Sequence, residues 1–345
     1  MRVGIIGVTG YAGSELLRLL LSHGGVEASY ITSKSYEGQP IWQVHPQFLH
    51  FTDLKCRSLS FAEARQETDL VFCALPHGEA MEVVPPLLEA GLKVIDLSAD
   101  FRLDSEEKYM HWYGRKHAHP QYLKGIAYGL PELYREDIKE SWLVANPGCY
   151  PTSAILALAP LAAAGVVNWE MVVVDAKSGT SGAGRVPSQA LHFPDCAENF
   201  RAYKVARHQH TPEIEMQLGK LAGGEVILSF VPHLVPMIRG ILSSVYLKLD
   251  RPRDEEEIRA IYEEFYKEES FVRLLPPGMF PETKFVQGSN FCDISFKLDQ
   301  RSNNLIIFSA IDNLVKGAAG QAVQNMNLML GFEEETGLNS VPQSP

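Results

Sequence analysis

The chain has 345 residues, more than a single domain of ~150 residues accounts for, and its 46% hydrophobic and 21% charged residues are enough to build globular cores. Lys and Arg total 31 against 42 Asp and Glu, so the net charge of -11 excludes a surface built to track nucleic acid or anionic lipid, both of which require a basic field. A small anionic substrate needs only a few cations placed locally and remains open.

In chain order, residues 2–7 read as a short buried strand with no signal peptide before it. The turn Gly7-x-x-Gly10-x-x-Gly13 follows. An amphipathic helix is then expected over residues 14–22, where Leu16, Leu17, Leu20 and Leu21 repeat at helical spacing. Strands are expected at 27–32, 70–74, 93–97 and 142–145, with a helix at 79–90 and another from Pro151 to about residue 165. Strands alternating with helices of this length imply a parallel, doubly wound sheet. After Gly165 the pattern changes to β-branched and aromatic runs at 171–176, 226–231, 238–248, 290–297 and 305–311, with helices only at 212–221 and 255–267. That pattern implies a mostly antiparallel second sheet. A last helix is expected at 316–330, then a polar, frayed tail over 333–345. The longest nearly apolar stretch, residues 154–167, contains Pro160 and falls short of the ~20 residues that a membrane span needs.

The glycine turn between a strand and a helix lets backbone approach a pyrophosphate, and the helix start offers N–H groups and a favourable dipole. Gly7, Thr9, Gly10, Tyr11, Ala12 and Gly13 are therefore candidate nucleotide contacts. The second strand ends Ile31-Thr-Ser33-Lys34-Ser35, with no acid until Glu37. Hydroxyls and a cation suit a 2′-phosphate better than a ribose hydroxyl, so Ser33 and Lys34 favour NADP over NAD. The cysteines, Cys56, Cys73, Cys149, Cys196 and Cys292, form no zinc-type spacing, and no metal is expected. Four read as packing residues. Cys149 differs because it follows the Asn146-Pro-Gly turn at the start of a helix, where the dipole favours a thiolate. The run Arg207-His208-Gln-His210-Thr-Pro-Glu213 supplies groups that titrate in the range a cysteine nucleophile needs. Ser178-Gly-Thr-Ser-Gly-Ala-Gly184 fits either a phosphate-binding loop or a flexible one.

With these motifs the chain resembles the N-acetyl-gamma-glutamyl-phosphate reductases, relatives of aspartate-semialdehyde dehydrogenase. The resemblance rests also on Leu75-Pro-His-Gly78, Asp96-Leu-Ser-Ala-Asp-Phe-Arg102, Tyr128-Gly-Leu-Pro-Glu132, Phe230-Val-Pro-His-Leu-Val-Pro-Met-x-Arg-Gly240 and Asp312-Asn-Leu-x-Lys-Gly-Ala-Ala-Gly-Gln321, in order along residues 1 to about 330. It implies an α/β protein: a Rossmann-type NADP-binding domain from residues 1–148 and 313–345, and an α+β catalytic and dimerisation domain from 149–312. It implies Cys149 as nucleophile and His210 with Glu213 as the acid/base pair, with His208 as the alternative histidine. Leu75, Pro76, Ser178, Gly179, Ser181, Gly182 and Asn313 would join the glycine turn around NADP(H), and Arg102, Arg115, Arg207 and His208 would hold an acyl-phosphate substrate. A cytoplasmic homo-oligomer, dimer or tetramer, is implied as well. Related acyl phosphates (aspartyl, or carrier-bound aminoadipyl) stand as alternative substrates. A cysteine hydrolase or acyltransferase stands as the alternative from another class, and a non-enzymatic dinucleotide sensor as a third.

Overall fold

A computed structural model describes residues 1–343, so the end of the expected tail, residues 344–345, lies outside the described residues. The chain divides into two compact units. The first comprises Met1–Gly148 and Ala318–Ser340; the second comprises Cys149–Gly317 and the described residues from Val341. Residues 313–317 therefore belong to the second unit by compactness, five residues past the boundary expected from sequence.

The first unit is a six-stranded sheet of β1 (Arg2–Ile6), β2 (Glu27–Thr32), β3 (Leu70–Cys73), β4 (Lys93–Asp96), β5 (Ala127–Tyr128) and β6 (Leu143–Ala145). Its order is β2-β1-β3-β4-β6-β5 and every pairing is parallel. Leu70, Val71, Phe72 and Cys73 are fully buried, as strands covered on both faces must be. From β1 the chain moves outward to β2, then returns past β1 to β3 and continues the other way. Right-handed crossovers then place the helices Tyr11–Leu21 and Ala80–Glu89 on opposite faces. The reversal falls between β1 and β3, whose C-terminal ends form the crevice where ligands of such sheets bind.

The second unit is a seven-stranded sheet of β7 (Val167–Ser178), β8 (Arg201–Ala202), β9 (Ser229–Leu234), β10 (Ile241–Leu249), β11 (Val272–Leu274), β12 (Cys292–Asp299) and β13 (Asn304–Ile311). The order is β11-β12-β13-β10-β7-β9-β8, antiparallel except for the β7–β9 and β11–β12 pairs. The helix Cys149–Ala163 packs on β10 and β13 and is itself covered by the helices Thr211–Ala222 and Glu255–Tyr266. Ser153 anchors it, its hydroxyl lying 2.8 Å from Ser243 Oγ and 2.5 Å from Ser309 Oγ.

Three expectations are corrected. The helix expected over 316–330 begins instead as a π-helical stretch, Val315–Ala319, before the α-helix Gly320–Leu330. The glycines at 317 and 320 weaken regular helix there, while Asp312 Oδ1 accepts the N–H groups of Leu314 and Val315. The tail is not frayed up to residue 338: Asn327 Nδ2 donates to Glu334 O and Thr336 O, each at 2.9 Å, and Leu338 is buried. Cys196 is not fully buried as a core cysteine would be; it lies half-buried in the short helix Phe193–Cys196, unlike the buried Cys56, Cys73 and Cys292. Among the described residues no helix is long and apolar enough to cross a membrane, and no cluster of His, Cys, Asp or Glu could hold a metal ion.

Candidate active site

The candidate residues divide between the two units. In the first, the expected glycines differ in what constrains them. Gly7 has φ +88°, and a Cβ there would lie 2.4 Å from Ala74 O; at Gly13 one would lie 2.3 Å from Gly7 O. Both are glycine because the protein leaves no room. At Gly10 the nearest atom would be 3.7 Å away and φ is an ordinary -73°. Nothing in the protein itself requires a glycine there, so the open face suits a group approaching from outside. Gly10 is also the cap of the helix Tyr11–Leu21 and supplies no side-chain hydrogen bond. The first-turn N–H groups of Tyr11, Ala12 and Gly13 have no partner within the helix, as at any helix start. These features fit a pyrophosphate.

Ser33 is buried and its hydroxyl lies 3.0 Å from Thr9 Oγ1, tying the end of β2 to the turn. Lys34 is exposed, with Nζ 2.6 Å from Glu79 Oε2. The sequence shows no acid this near Lys34, because Glu79 comes from the segment after β3. His45 was also missed; its Nε2 lies 3.1 Å from Thr9 O and braces the turn. Leu75 lies beside Gly7, where a Cβ would meet Leu75 Cδ2 at 3.4 Å. The 75–78 loop thus borders the glycine turn, and Pro76 within it is exposed.

The arginines have different settings. Arg102 is buried, with Nε donating to Asn146 O and Nη2 to Leu97 O, both at 2.8 Å, so those donors brace the ends of β4 and β6. Arg115 is exposed and lies over Gly78, where any Cβ would collide with its Nη1, 1.4 Å away. Arg207, in the second unit, is exposed.

In the second unit Cys149 is the first residue of the helix Cys149–Ala163 and is half-buried. A Cβ at Gly317 would lie 2.7 Å from Cys149 Cβ, so Gly317 is the floor against which the cysteine rests. By contrast, burial pushes the Cys56 thiol up and the Cys73 thiol well up, which keeps both as inert thiols.

Tyr150, next in the chain, carries its ring against both histidines, with centroids 5.6 Å from His208 and 5.9 Å from His210. Its hydroxyl donates to His233 O and accepts from Tyr203. Burial, then the neighbouring Tyr203, push the Tyr150 hydroxyl far up, so it is a neutral donor. Tyr203 is pushed up to about 12, chiefly by burial. His208 is buried among the rings of Tyr150, Tyr203 and Phe230, and its Nδ1 accepts the backbone N–H of His210 at 3.1 Å. That bond requires an unprotonated Nδ1. His210 is less buried and occupies the cap position of the helix Thr211–Ala222. Glu213 lies fully buried in the first turn of that helix, where the dipole favours an acid.

The 178–184 segment is tied by hydrogen bonds to residues 237–240 and to Asn313. Ser181 N donates to Ile238 O, and Asn313 Nδ2 donates to Ser181 Oγ while its Oδ1 accepts Gly240 N at 2.7 Å. Ser178 and Ser181 are buried, and Gly179 sits where a Cβ would be 2.6 Å from Ile238 O. At Gly182 a Cβ would meet Ser178 Oγ at 3.4 Å. Arg239, within the Phe230–Gly240 motif, is partly buried and its Nη1 lies 3.1 Å from Asp312 Oδ2. Tyr203 lies in no sequence motif, and Phe230 heads one without anything local that ties it to His208.

Residues 2–141 match the semialdehyde dehydrogenase NAD binding domain, and residues 149–313 match the semialdehyde dehydrogenase dimerisation domain. A protein of Pelotomaculum thermopropionicum named N-acetyl-gamma-glutamyl-phosphate reductase is 51% identical over 338 residues, 98% of this chain and 97% of that one. A protein of Desulfotalea psychrophila with the same name is 51% identical over 346 residues, covering 100% of both chains. Among solved structures, the fold is similar to aspartate semialdehyde dehydrogenase II of Vibrio cholerae, with TM-score 0.73 and 19% identity over 96% of this chain and 98% of that one. It is similar too to the Candida albicans aspartate semialdehyde dehydrogenase with NADP, with TM-score 0.72 and 15% identity over 95% of this chain and 98% of that one. Glycine turn, hydrogen-bonded serine loop and helix-initiating cysteine thus stand in a chain that belongs to the N-acetyl-gamma-glutamyl-phosphate reductase family.

Proposed function

We propose that the chain reduces N-acetyl-gamma-glutamyl phosphate to N-acetylglutamate 5-semialdehyde and phosphate, using NADPH, as a step of arginine biosynthesis. The observation that carries this reading is the setting of Cys149: a half-buried thiol at a helix start, resting on Gly317, one residue from the ring that touches His208 and His210.

The helix dipole favours negative charge on the Cys149 sulfur. His210 accepts the thiol proton, and the buried Glu213 offsets the dipole that would otherwise disfavour its imidazolium. The thiolate adds to the acyl carbon and expels phosphate, leaving a thioester on Cys149, an acyl group far easier to reduce than a carboxylate. Backbone N–H groups at the start of the Cys149 helix are the natural oxyanion donors. NADPH, when bound, supplies the hydride. Gly7, Thr9, Gly10, Tyr11, Ala12, Gly13, Leu75 and Pro76 would hold it in the first unit, with Ser33 and Lys34 taking its 2′-phosphate. Ser178, Gly179, Ser181, Gly182 and Asn313 are the candidates in the second. Arg115, Arg207 and Arg102, with His208, are the proposed groups for the anionic substrate. Collapse of the thiohemiacetal then frees the aldehyde and regenerates the thiolate.

The test is the reverse reaction, with N-acetylglutamate semialdehyde, phosphate and NADP, followed by absorbance of the reduced coenzyme. Absence of a phosphate-dependent signal would reject the activity. Cys149→Ser is expected to abolish turnover while coenzyme binding persists, because the glycine turn is untouched; residual turnover above a few per cent would remove Cys149 from the chemistry. A homo-oligomer, dimer or tetramer, goes with this reading. It is supported by the dimerisation-domain match and by Met171 and Tyr246 standing exposed on β7 and β10. Light scattering on the purified chain tests it. We also assign the enzyme to the cytoplasm, where its coenzyme is available.

A further inference from the structure

Asp100 has no part in the chemistry above, yet it is fully buried. Both carboxylate oxygens accept the N–H of Gly78 at 2.8 Å, Oδ2 also accepts the N–H of Met81 at 3.0 Å, and Oδ1 accepts Tyr109 Oη at 2.7 Å. Its own N–H donates to Ser98 Oγ, and its carbonyl accepts from His117 Nε2. Each of these hydrogen-bond partners of the carboxylate is a donor, which is the condition for burying a charge without destabilising the fold, and they act against the nearby Asp96 carboxyl.

These bonds converge on one place. Glu79, the cap residue of the helix Ala80–Glu89, makes no side-chain cap bond, so Asp100 caps that helix from 19 residues away through Met81 N. Through Gly78 N it also fixes the end of the 75–78 loop, whose Leu75 borders Gly7 of the glycine turn. Gly78 is held at φ +83°, and Arg115 Nη1 reaches His77 O across it.

We propose that Asp100 is a positioning residue for coenzyme binding: its carboxylate holds the 75–78 loop against the glycine turn and seats Arg115 over it. This rests on the reading that the loop contacts NADPH. Asp100→Asn keeps the shape but turns an N–H₂ toward groups that are donors, and Tyr109→Phe removes one donor without burying a new polar group. The measurements are NADPH affinity by fluorescence, and KM and kcat for the coenzyme in the reverse assay, on the full chain. Asp100→Asn is expected to weaken NADPH about tenfold and Tyr109→Phe about threefold, the loss appearing in coenzyme KM with kcat nearly kept. A merely structural role would instead lower kcat through a smaller active fraction and leave coenzyme KM unchanged. That result, or Asp100→Asn binding NADPH as tightly as the parent, overturns the proposal. If Asp100→Asn does not fold, Tyr109→Phe decides it alone: parental affinity in that variant overturns the proposal. A parent chain that binds no NADPH sinks the coenzyme reading itself, and this proposal with it, and is distinct from a parent that binds and variants that match it.

Discussion

At the residue scale, the space around each glycine separates structure from binding more sharply than the motif does. Gly13 and Gly10 are equivalent in the sequence pattern, but a Cβ at Gly13 would sit 2.3 Å from Gly7 O while one at Gly10 has ordinary clearance. Gly13→Ala is therefore expected to destabilise the fold by about 2 kcal/mol or more through overpacking. Gly10→Ala should melt within a few degrees of the parent and weaken NADPH at least about tenfold, by obstructing the approach of its phosphates. Thermal melts paired with coenzyme titration check both; equal destabilisation by the two would remove the distinction. The same logic applies behind the nucleophile. Gly317→Ala would press a methyl to 2.7 Å from Cys149 Cβ, so it is expected to displace the sulfur and lower kcat at least about tenfold with coenzyme affinity unchanged. Normal kcat in that variant would mean the floor yields.

At the scale of elements, the helix Cys149–Ala163 shows how the fold supports an irregular sequence. Pro160 has no N–H, so the carbonyl of Leu156 loses its usual helical partner. Tyr266, on the helix Glu255–Tyr266, donates its hydroxyl to that carbonyl at 2.6 Å, and Tyr262 donates to Ala157 O at the same distance. Tyr266→Phe should therefore cost about 1–3 kcal/mol in denaturant unfolding, the range for an abandoned buried carbonyl. A loss within error would show that water takes the hydroxyl's place. Such cross-helix repair is invisible in sequence, where Pro160 reads only as an interruption. The aromatic enclosure of His208 belongs to the same scale. Tyr150 comes from one helix, Tyr203 from the turn after β8 and Phe230 from β9, and together they hold the imidazole whose Nδ1 accepts His210 N. Two histidines that are equal by residue type are thereby made unequal by packing.

At the scale of the molecule, buried charge makes stability depend on pH. Burial pushes the Asp96 carboxyl up to about 7, with nearby Asp100 adding to it, against hydrogen bonds from Ser98 and the Arg102 charge. In the unfolded chain an aspartate titrates near ~3.9, so between about 4 and 7 the folded state binds the extra proton. This group's contribution to stability is complete below that window and is lost as pH rises through about 7. Relative to Asp96→Asn, the parent should lose melting temperature from pH 5 to pH 8, and parallel curves for the two would refute the coupling. The alternation of strand and helix, the glycine turn, the change of pattern after Gly165 and the cysteine at a helix start were all legible in the sequence alone, because each is a local pattern written in neighbouring residues. Only the tertiary structure decided that Gly10 is the open glycine, that Glu79 reaches Lys34, that Asp100 anchors the 75–78 loop and that Gly317 backs Cys149. The last three join residues far apart in the chain, where spacing carries no information and only packing brings the partners together; Gly10 is set apart by the backbone path of the turn, which the glycine spacing does not record.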